Sequence, residues 1–103
     1  MRAVSVDIGL NTCCYTRRWE APKHWISLSK EAGYDYVQID SDALDPFFSG
    51  DKKYQRRTAE ELKEQAEQYK VTITGYYTGM ASYRFHGLSH SDSAVRERMK
   101  QWV

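Results

Sequence analysis

Alternating apolar and polar positions along the chain predict three β-strands. The alternations are AVSVDIG at residues 3–9, YVQID at 36–40 and VTITGYY at 71–77, so that they recur at intervals of 33 to 35 residues. Strict alternation is typical of a strand with one buried and one polar face. Each stretch is followed by residues with helical periodicity, which indicates a regular repeat of strand and helix.

Start and stop signals place the helices between these strands. Pro22 suits the first position of a helix, and Gly33 is a natural C-terminal stop. Thr58 and Glu61 have the spacing of a capping box, which predicts the start of the second helix. Asp92 is a candidate N-cap for a third helix, whose apolar face would consist of Val95, Met99, Trp102 and Val103.

The polar face of each strand decides between two α/β architectures. Strands covered by helices on both sides usually read as continuous apolar runs, whereas these keep one polar side. In a barrel, one side meets the surrounding helices and the other faces a lumen that can hold polar groups. The strand-to-helix connections, residues 10–21, 41–57 and 78–91, are also long, as in TIM barrels. The sequence therefore predicts an α/β fold made of the first three parallel βα units of a TIM (β/α)8 barrel.

The length of the chain limits how much of a barrel it contains. Such a barrel typically needs about 250 residues, and this chain has 103. We therefore expect residues 1–103 to be a single partial domain, with Trp102 covered by the next strand and helix of a longer protein. The alternative is a small complete α/β domain whose last helix docks on its own sheet. In both cases the open strand edges allow pairing with another chain, and hence an oligomer.

Composition and charge exclude several classes of protein. The net charge is +1 and 41% of the residues are hydrophobic, which argues for a globular chain without a nucleic-acid partner. No apolar run approaches the roughly 18 residues of a membrane span, and the N-terminus lacks a signal-peptide core. Cys13 and Cys14 are adjacent, and neighbouring cysteines rarely form a disulfide. These features predict a cytoplasmic protein with no membrane partner.

Two stretches resemble the xylose isomerase-like superfamily of sugar isomerases and epimerases. ISLSKEAGYDYVQID resembles its passage from helix to second strand, where the pattern K-E-x-G-Y-D-x-V-x-I is common. HGLSHSDSAVRERMKQWV resembles its lead-in to the third helix, often S-x-D-P-A-V-R, although Ser93 stands here in place of the proline. The resemblance covers essentially the whole chain, but only roughly the first three-eighths of the expected barrel.

The resemblance implies a metal-dependent reaction of a small sugar or sugar phosphate. A divalent metal (Mn, Mg, Co or Zn) would act as a Lewis acid while paired carboxylates move a proton beside the carbonyl. The family's metal ligands lie on later strands. The resemblance therefore implies no catalytic residue and no metal ligand in this chain, which would be an inactive N-terminal part of the enzyme.

Five residues near the predicted lumen are candidates for substrate binding, each with a structural alternative. Asn11 follows the first strand and would contact substrate or form a turn. Asp40 ends the second strand on its polar face and would accept hydrogen bonds from sugar hydroxyls or serve as a structural carboxylate. Tyr76 is predicted to share that face and would bind a sugar oxygen or pack. Trp19 and His86, in the connections after the first and third strands, would reach substrate or belong to ordinary loops.

Other side chains in the same connections have two readings. His86 and His90 are four residues apart, but Gly87 argues for a loop in which that spacing fixes no common face, so a metal site is disfavoured. Loop aromatics would bind the C–H faces of a sugar or pack the loops; they are Tyr15, Trp19, Phe47, Phe48 and Tyr83. Loop cations would attract a phosphorylated sugar or form a solvated surface; they are Arg17, Arg18, Lys52, Lys53, Arg56 and Arg57.

Three further functions compete with the sugar enzyme. A DNA repair barrel of the endonuclease IV kind has metal-binding histidines near the ends of its early strands. This chain has Asp40, Tyr76 and Tyr77 there, and its balanced charge does not favour a phosphate backbone, so this function is the weaker alternative. A non-enzymatic α/β binding or assembly module stays open. A nucleotide-binding half-domain is disfavoured, because GLNTCC after the first strand lacks a glycine-rich phosphate turn.

Overall fold

The computed structural model of the protein describes residues 3–15, 20–41, 44–77 and 87–102. Its three strands are β1 (Gly9–Asn11), β2 (Tyr36–Asp40) and β3 (Thr72–Tyr77), which form a parallel sheet in the order β1-β2-β3. Its helices are α1 (Pro22–Glu31), α2 (Lys52–Tyr69) and α3 (Ser93–Trp102), with short 3-10 helices at Thr12–Tyr15 and Gly87–Ser89. The prediction of parallel βαβ units is confirmed.

The first strand lies later in the chain than its alternation predicts. Gly9, not Ala3, begins β1, and it pairs with Tyr36 at the start of β2. Because Gly9 is matched with Tyr36, the first residue of β2, residues 3–8 extend past the start of β2. They therefore have no β2 residue to pair with. The apolar side of the predicted strand is consequently exposed, from 70% at Ile8 to 85% at Val4.

Helix α1 begins and ends where its signals predict. Pro22 is the first helical residue. At the other end Gly33 has a φ of 93°, a conformation that costs glycine little, and the Tyr34 N–H donates to the Ser29 carbonyl. This turn returns the chain directly to β2.

Helix α2 begins well before the predicted capping box. Its N-cap is Asp51, whose carboxylate accepts a hydrogen bond from the Tyr54 N–H at 2.8 Å. Thr58, predicted to cap, lies inside the helix and is buried. The capping-box prediction is therefore wrong: an earlier carboxylate already satisfies the first turn, and the helix runs through Thr58.

The hydrophobic core lies between the helices and one face of the sheet. Val37 and Ile39 of β2 are buried against Trp25 and Ile26 of α1 and Leu62 of α2. Full burial of an aliphatic side chain contributes about 1.5–3 kcal/mol, so this cluster fixes both helices on the sheet. The prediction that the apolar side of β2 meets the helices is confirmed.

None of the helices in the described ranges is long and apolar enough to span a bilayer.

A β-bulge changes the face on which the end of β3 lies. Val37 pairs with Ile73, but the next residue, Gln38, pairs with Gly75, so that Thr74 is the extra residue. The Thr74 hydroxyl donates to the Val37 carbonyl at 3.0 Å. Beyond the bulge, Tyr76 pairs with Ile39 on the helix side. The prediction that Tyr76 shares a face with Asp40 is therefore wrong.

Helix α3 docks on the loop that follows β2. Asp92 caps it as predicted, accepting a hydrogen bond from the Ala94 N–H at 2.8 Å. Trp102 is only 5% exposed, and its indole N–H donates to Oδ2 of Asp45 at 3.1 Å. The expectation that a later strand and helix cover Trp102 is wrong, because the loop after β2 already does so. Val103, also expected on this face, lies outside the described residues.

Candidate functional site

The face of the sheet opposite α1 and α2 carries the candidate site. Asn11, Gln38 and Gly75 are matched across the three strands by the register, and paired residues of parallel strands project to the same side. We call these three residues the central row. They lie near the carboxyl ends of the strands, the end at which parallel α/β sheets bind ligands.

A hydrogen bond fixes two side chains of the central row. The Asn11 amide donates to Oε1 of Gln38 at 2.7 Å, and Oδ1 of Asn11 accepts from the Cys13 N–H at 2.8 Å. The second bond makes Asn11 a turn former, one of its two predicted roles. With its oxygen bound to Asn11, Gln38 presents its NH₂ group as a hydrogen-bond donor on this face.

Gly75 leaves space beside Gln38. A Cβ atom built at Gly75 would meet no heavy atom within 4 Å. In the next row toward the carboxyl end, Tyr77 pairs with Asp40, and its ring is partly exposed. The site is therefore an open surface bounded by an amide pair on one side and a phenol above, and sequence reasoning missed Gln38, Gly75 and Tyr77 as its members.

Asp40 is almost completely buried, at 2% exposed. Its backbone N–H donates to Oγ1 of Thr12 at 2.9 Å, and Thr12 is itself buried. This burial fits the structural role predicted for Asp40 better than contact with a substrate. Thr12 joins the ends of β1 and β2 and was not predicted; its signal in the sequence is a single hydroxyl residue directly after the strand.

Tyr76 is held on the helix side of the sheet. Its hydroxyl donates to the Leu44 carbonyl, and the Gln55 amide donates to the neighbouring Pro46 carbonyl at 2.7 Å. Tyr76 therefore ties β3 to the loop after β2 and does not project with the central row. The other two predicted binding residues, Trp19 and His86, lie outside the described residues.

The described residues do not form a metal site. Nowhere in the described ranges do three His, Cys, Asp or Glu side chains come together to hold an ion. His90 instead accepts a hydrogen bond from the Asp92 N–H at 3.0 Å, at the start of α3. The divalent metal that the resemblance implies does not fit this part of the chain, so we assign no step to it.

Both cysteines lie at the edge of the site, and neither forms a disulfide. The Cys14 thiol donates to the Asn11 carbonyl at 3.4 Å. Partial burial raises the pKa of the Cys14 thiol, the charge of Cys13 raises it further, and a backbone hydrogen bond opposes both. Since the thiolate is the nucleophile, the raised pKa lowers the reactivity of Cys14 at neutral pH.

We expect Cys14 to alkylate slowly. In a Cys13→Ser variant, its iodoacetamide rate should rise at higher pH than that of a cysteine in an unstructured peptide, because burial still raises the pKa. The wild type should show a larger shift, since Cys13 adds its charge. Peptide mass spectrometry over a pH series measures both. Cys14 reacting as fast as the peptide at every pH would contradict the assignment.

No protein-family model matches the sequence, and no curated protein matches it. A solved structure from Rhodospirillum rubrum, described as a "Putative Xylose isomerase", matches 95% of this chain with a TM-score of 0.81 and 23% sequence identity. The fold is xylose isomerase-like. At this identity the likeness shows the fold alone, and the chain spans 33% of the matched chain.

The xylose isomerase-like fold confirms the predicted architecture. The three parallel strands with their helices correspond to βα units of a barrel protein, and not to a sheet covered on both faces. In such a barrel the helices surround the sheet and the other face lines the lumen. The central row is on that second face. The division of the chain into a single partial domain stays a prediction.

Proposed function

We propose that this chain supplies part of the sugar-binding wall of a sugar isomerase or epimerase. The observation that carries the proposal is the central row: a fixed pair of carboxamides beside an open space, on the face of the sheet away from the helices. The xylose isomerase-like fold supports it, because that face corresponds to the lumen of a barrel.

The chemistry of the row suits a sugar. A sugar presents hydroxyl groups that both donate and accept, and amide groups can satisfy both roles. The Asn11–Gln38 bond holds the two carboxamides in place before ligand arrives, which lowers the entropy cost of binding. Gly75 leaves the space that a sugar ring would occupy, and Tyr77 offers a ring edge and a hydroxyl above it.

The proposed role of these residues is to bind and orient. Asn11 and Gln38 would hold sugar hydroxyls so that a carbon beside the carbonyl is presented to groups elsewhere in the enzyme, where proton transfer gives an isomer or epimer. None of the central-row residues is an acid or base suited to that transfer. The 103-residue chain is therefore expected to bind sugar weakly and not to convert it.

An NMR titration with D-xylose tests the proposal. We expect sugar to shift the side-chain NH₂ signals of Asn11 and Gln38 and the backbone amide of Gly75. Gly75→Val should abolish these shifts by filling the open space, and Gln38→Leu should abolish the shifts of Asn11 and Gly75 by removing the Gln38 donor. Gly75→Ala is the matched control, because one added carbon meets no neighbour and should leave binding measurable.

The following results would contradict the proposed sugar-binding role of the central row. Shifts confined to other surfaces, or equal binding by Gly75→Val, would overturn it. An assay with Mn²⁺ or Mg²⁺ should show no sugar turnover by the chain, and robust turnover would contradict the purely binding role of the central row.

A further inference from the structure

Helix α2 carries a concentrated positive surface that the proposed function does not use. Lys52, Lys53, Arg56 and Arg57 fall in its first two turns, and together with Glu60 they line a concavity of about 450 Å³. We call the four cations the basic face. The sequence predicts them in a loop, whereas the structure places all four in the helix.

The basic face points away from the sheet. Thr58 and Leu62 are the buried residues of α2 and face the core. At 100° per residue, Arg56 and Glu60 project about 160° away from Thr58. The basic face is therefore on the outside of the helix layer, on the opposite side of the molecule from the central row, and it cannot serve as the phosphate subsite of a sugar bound there.

The order of charges along α2 opposes the helix dipole. The dipole favours acidic residues near the first turn and basic residues near the last; the Asp51 N-cap follows this rule, whereas the four cations stand at the end where positive charge is unfavourable. Four like charges crowded into two turns also repel one another. A sequence that breaks a local rule in this way typically does so at a functional site.

Glu60 shares the lining of the concavity, but within the described ranges no side chain of the basic face is held in an ion pair. The ion pairs found there are Lys30–Asp35 and Lys100–Glu97, and neither includes the basic face. The Arg57 guanidinium lies 5.5 Å from the centre of the Tyr54 ring, which restricts its orientation. Much of the positive charge thus remains available to a ligand.

We propose that the basic face binds a small molecule that bears two or more phosphate groups. Two arginines offer planar, bidentate donors for phosphate oxygens, and two lysines add compact positive charge. The concavity is within the range of small-ligand sites, about 300–1,000 Å³. The net charge of +1 gives no long-range attraction for a nucleic acid, so the charge is local and suits a compact anion.

Calorimetric titration with inorganic triphosphate tests this site on the 103-residue chain. The double variant Arg56→Gln/Arg57→Gln should weaken binding roughly tenfold or more, because it removes the charge-assisted hydrogen bonds. Lys23→Gln/Lys100→Gln removes the same net charge from exposed positions on α1 and α3 and should change affinity little. Glu60→Gln should tighten binding, since it removes the negative charge from the lining.

Three results would overturn the proposal. They are an absence of triphosphate binding at low salt, an equal loss of affinity in the Lys23/Lys100 control, and tighter binding of a single-stranded oligonucleotide than of triphosphate. Circular dichroism verifies that the arginine variant keeps its helices. The same variant should leave the sugar-induced shifts of Asn11 and Gln38 unchanged. The experiment therefore tests the basic face independently of the sugar-binding role proposed for the central row.

Discussion

Replacing Thr12 by valine is expected to lower the free energy of unfolding by about 1–3 kcal/mol, although the two side chains have nearly the same shape. Thr12 is fully buried, and its hydroxyl is the acceptor for the Asp40 N–H. Valine leaves that buried donor without this acceptor, and a buried donor without a partner costs more than the net value of the bond. Urea denaturation measures the change.

Amide exchange distinguishes the lost hydrogen bond from a general loss of packing. In Thr12→Val the Asp40 amide should exchange faster relative to the rest of β2. In Thr12→Ser, which keeps the hydroxyl and loses a methyl group, the Asp40 amide should stay protected. If Thr12→Val is as stable as wild type and the Asp40 amide is unchanged, Thr12 does not join the ends of β1 and β2.

Replacing Asp45 by alanine is expected to loosen the contact between α3 and the loop after β2, at a cost of about 2 kcal/mol. One carboxylate oxygen accepts from the Phe47 and Phe48 N–H groups at 2.7 and 3.0 Å, and the other accepts from the Trp102 indole. The substitution removes all three acceptor contacts. Near-ultraviolet circular dichroism of the tryptophans and urea denaturation report the change.

A double-mutant cycle isolates the contact between the carboxylate and the indole. In a Trp102→Phe background, Asp45→Ala should cost about 1–2 kcal/mol less than in wild type, because the indole donor is already gone. Equal costs in both backgrounds would mean that Asp45 acts only within its own loop, and that Trp102 is buried without its help.

Short-range signals in the sequence predict the elements they control. Pro22 and Gly33 bound α1 as their backbone preferences require, and Asp92 caps α3. Val37 and Ile39 are buried because alternation reports directly which side of a strand meets the helices. These features need no knowledge of distant residues, which is why a pattern suffices.

Features that depend on pairing between distant segments could not be predicted. The alternation of residues 3–9 suggests a strand, but the strand begins only at Gly9, where β2 provides a partner. Tyr76 continues the alternation of β3 in sequence, yet the extra residue Thr74 moves it to the helix side. A bulge depends on the pairing with the neighbouring strand, so no local sequence pattern predicts it.

The same limit applies to the candidate site. Asn11 and Asp40 were predicted from their positions at strand ends, but only the structure distinguishes the half-exposed amide from the buried carboxylate. Gln38, Gly75 and Thr12 matter through their partners across strands, which lie about thirty residues away in sequence. Pairing of the open sheet edges with another chain stays a prediction.

Exposed apolar side chains mark a third surface, separate from both proposed sites. Phe47 and Phe48 of the loop after β2 face Val95 and Met99 of α3 across a groove of about 420 Å³. The Arg98 guanidinium lies 4.3 Å from the centre of the Phe47 ring and flanks the groove. The predicted role of these loop aromatics in sugar binding is not favoured, because the groove is formed with α3 and not with the central row.

Cysteine labelling tests most directly whether the central row lies on an accessible face while its neighbours lie under helices. In a Cys13→Ser/Cys14→Ser background, Gly75→Cys should react rapidly with a maleimide, and Val37→Cys should react slowly because position 37 is fully buried. D-xylose should slow the first reaction and leave the second unchanged. A protected cysteine at 75, or equally fast labelling at 37, would contradict the assignment of the two faces and remove the basis for a sugar-binding wall.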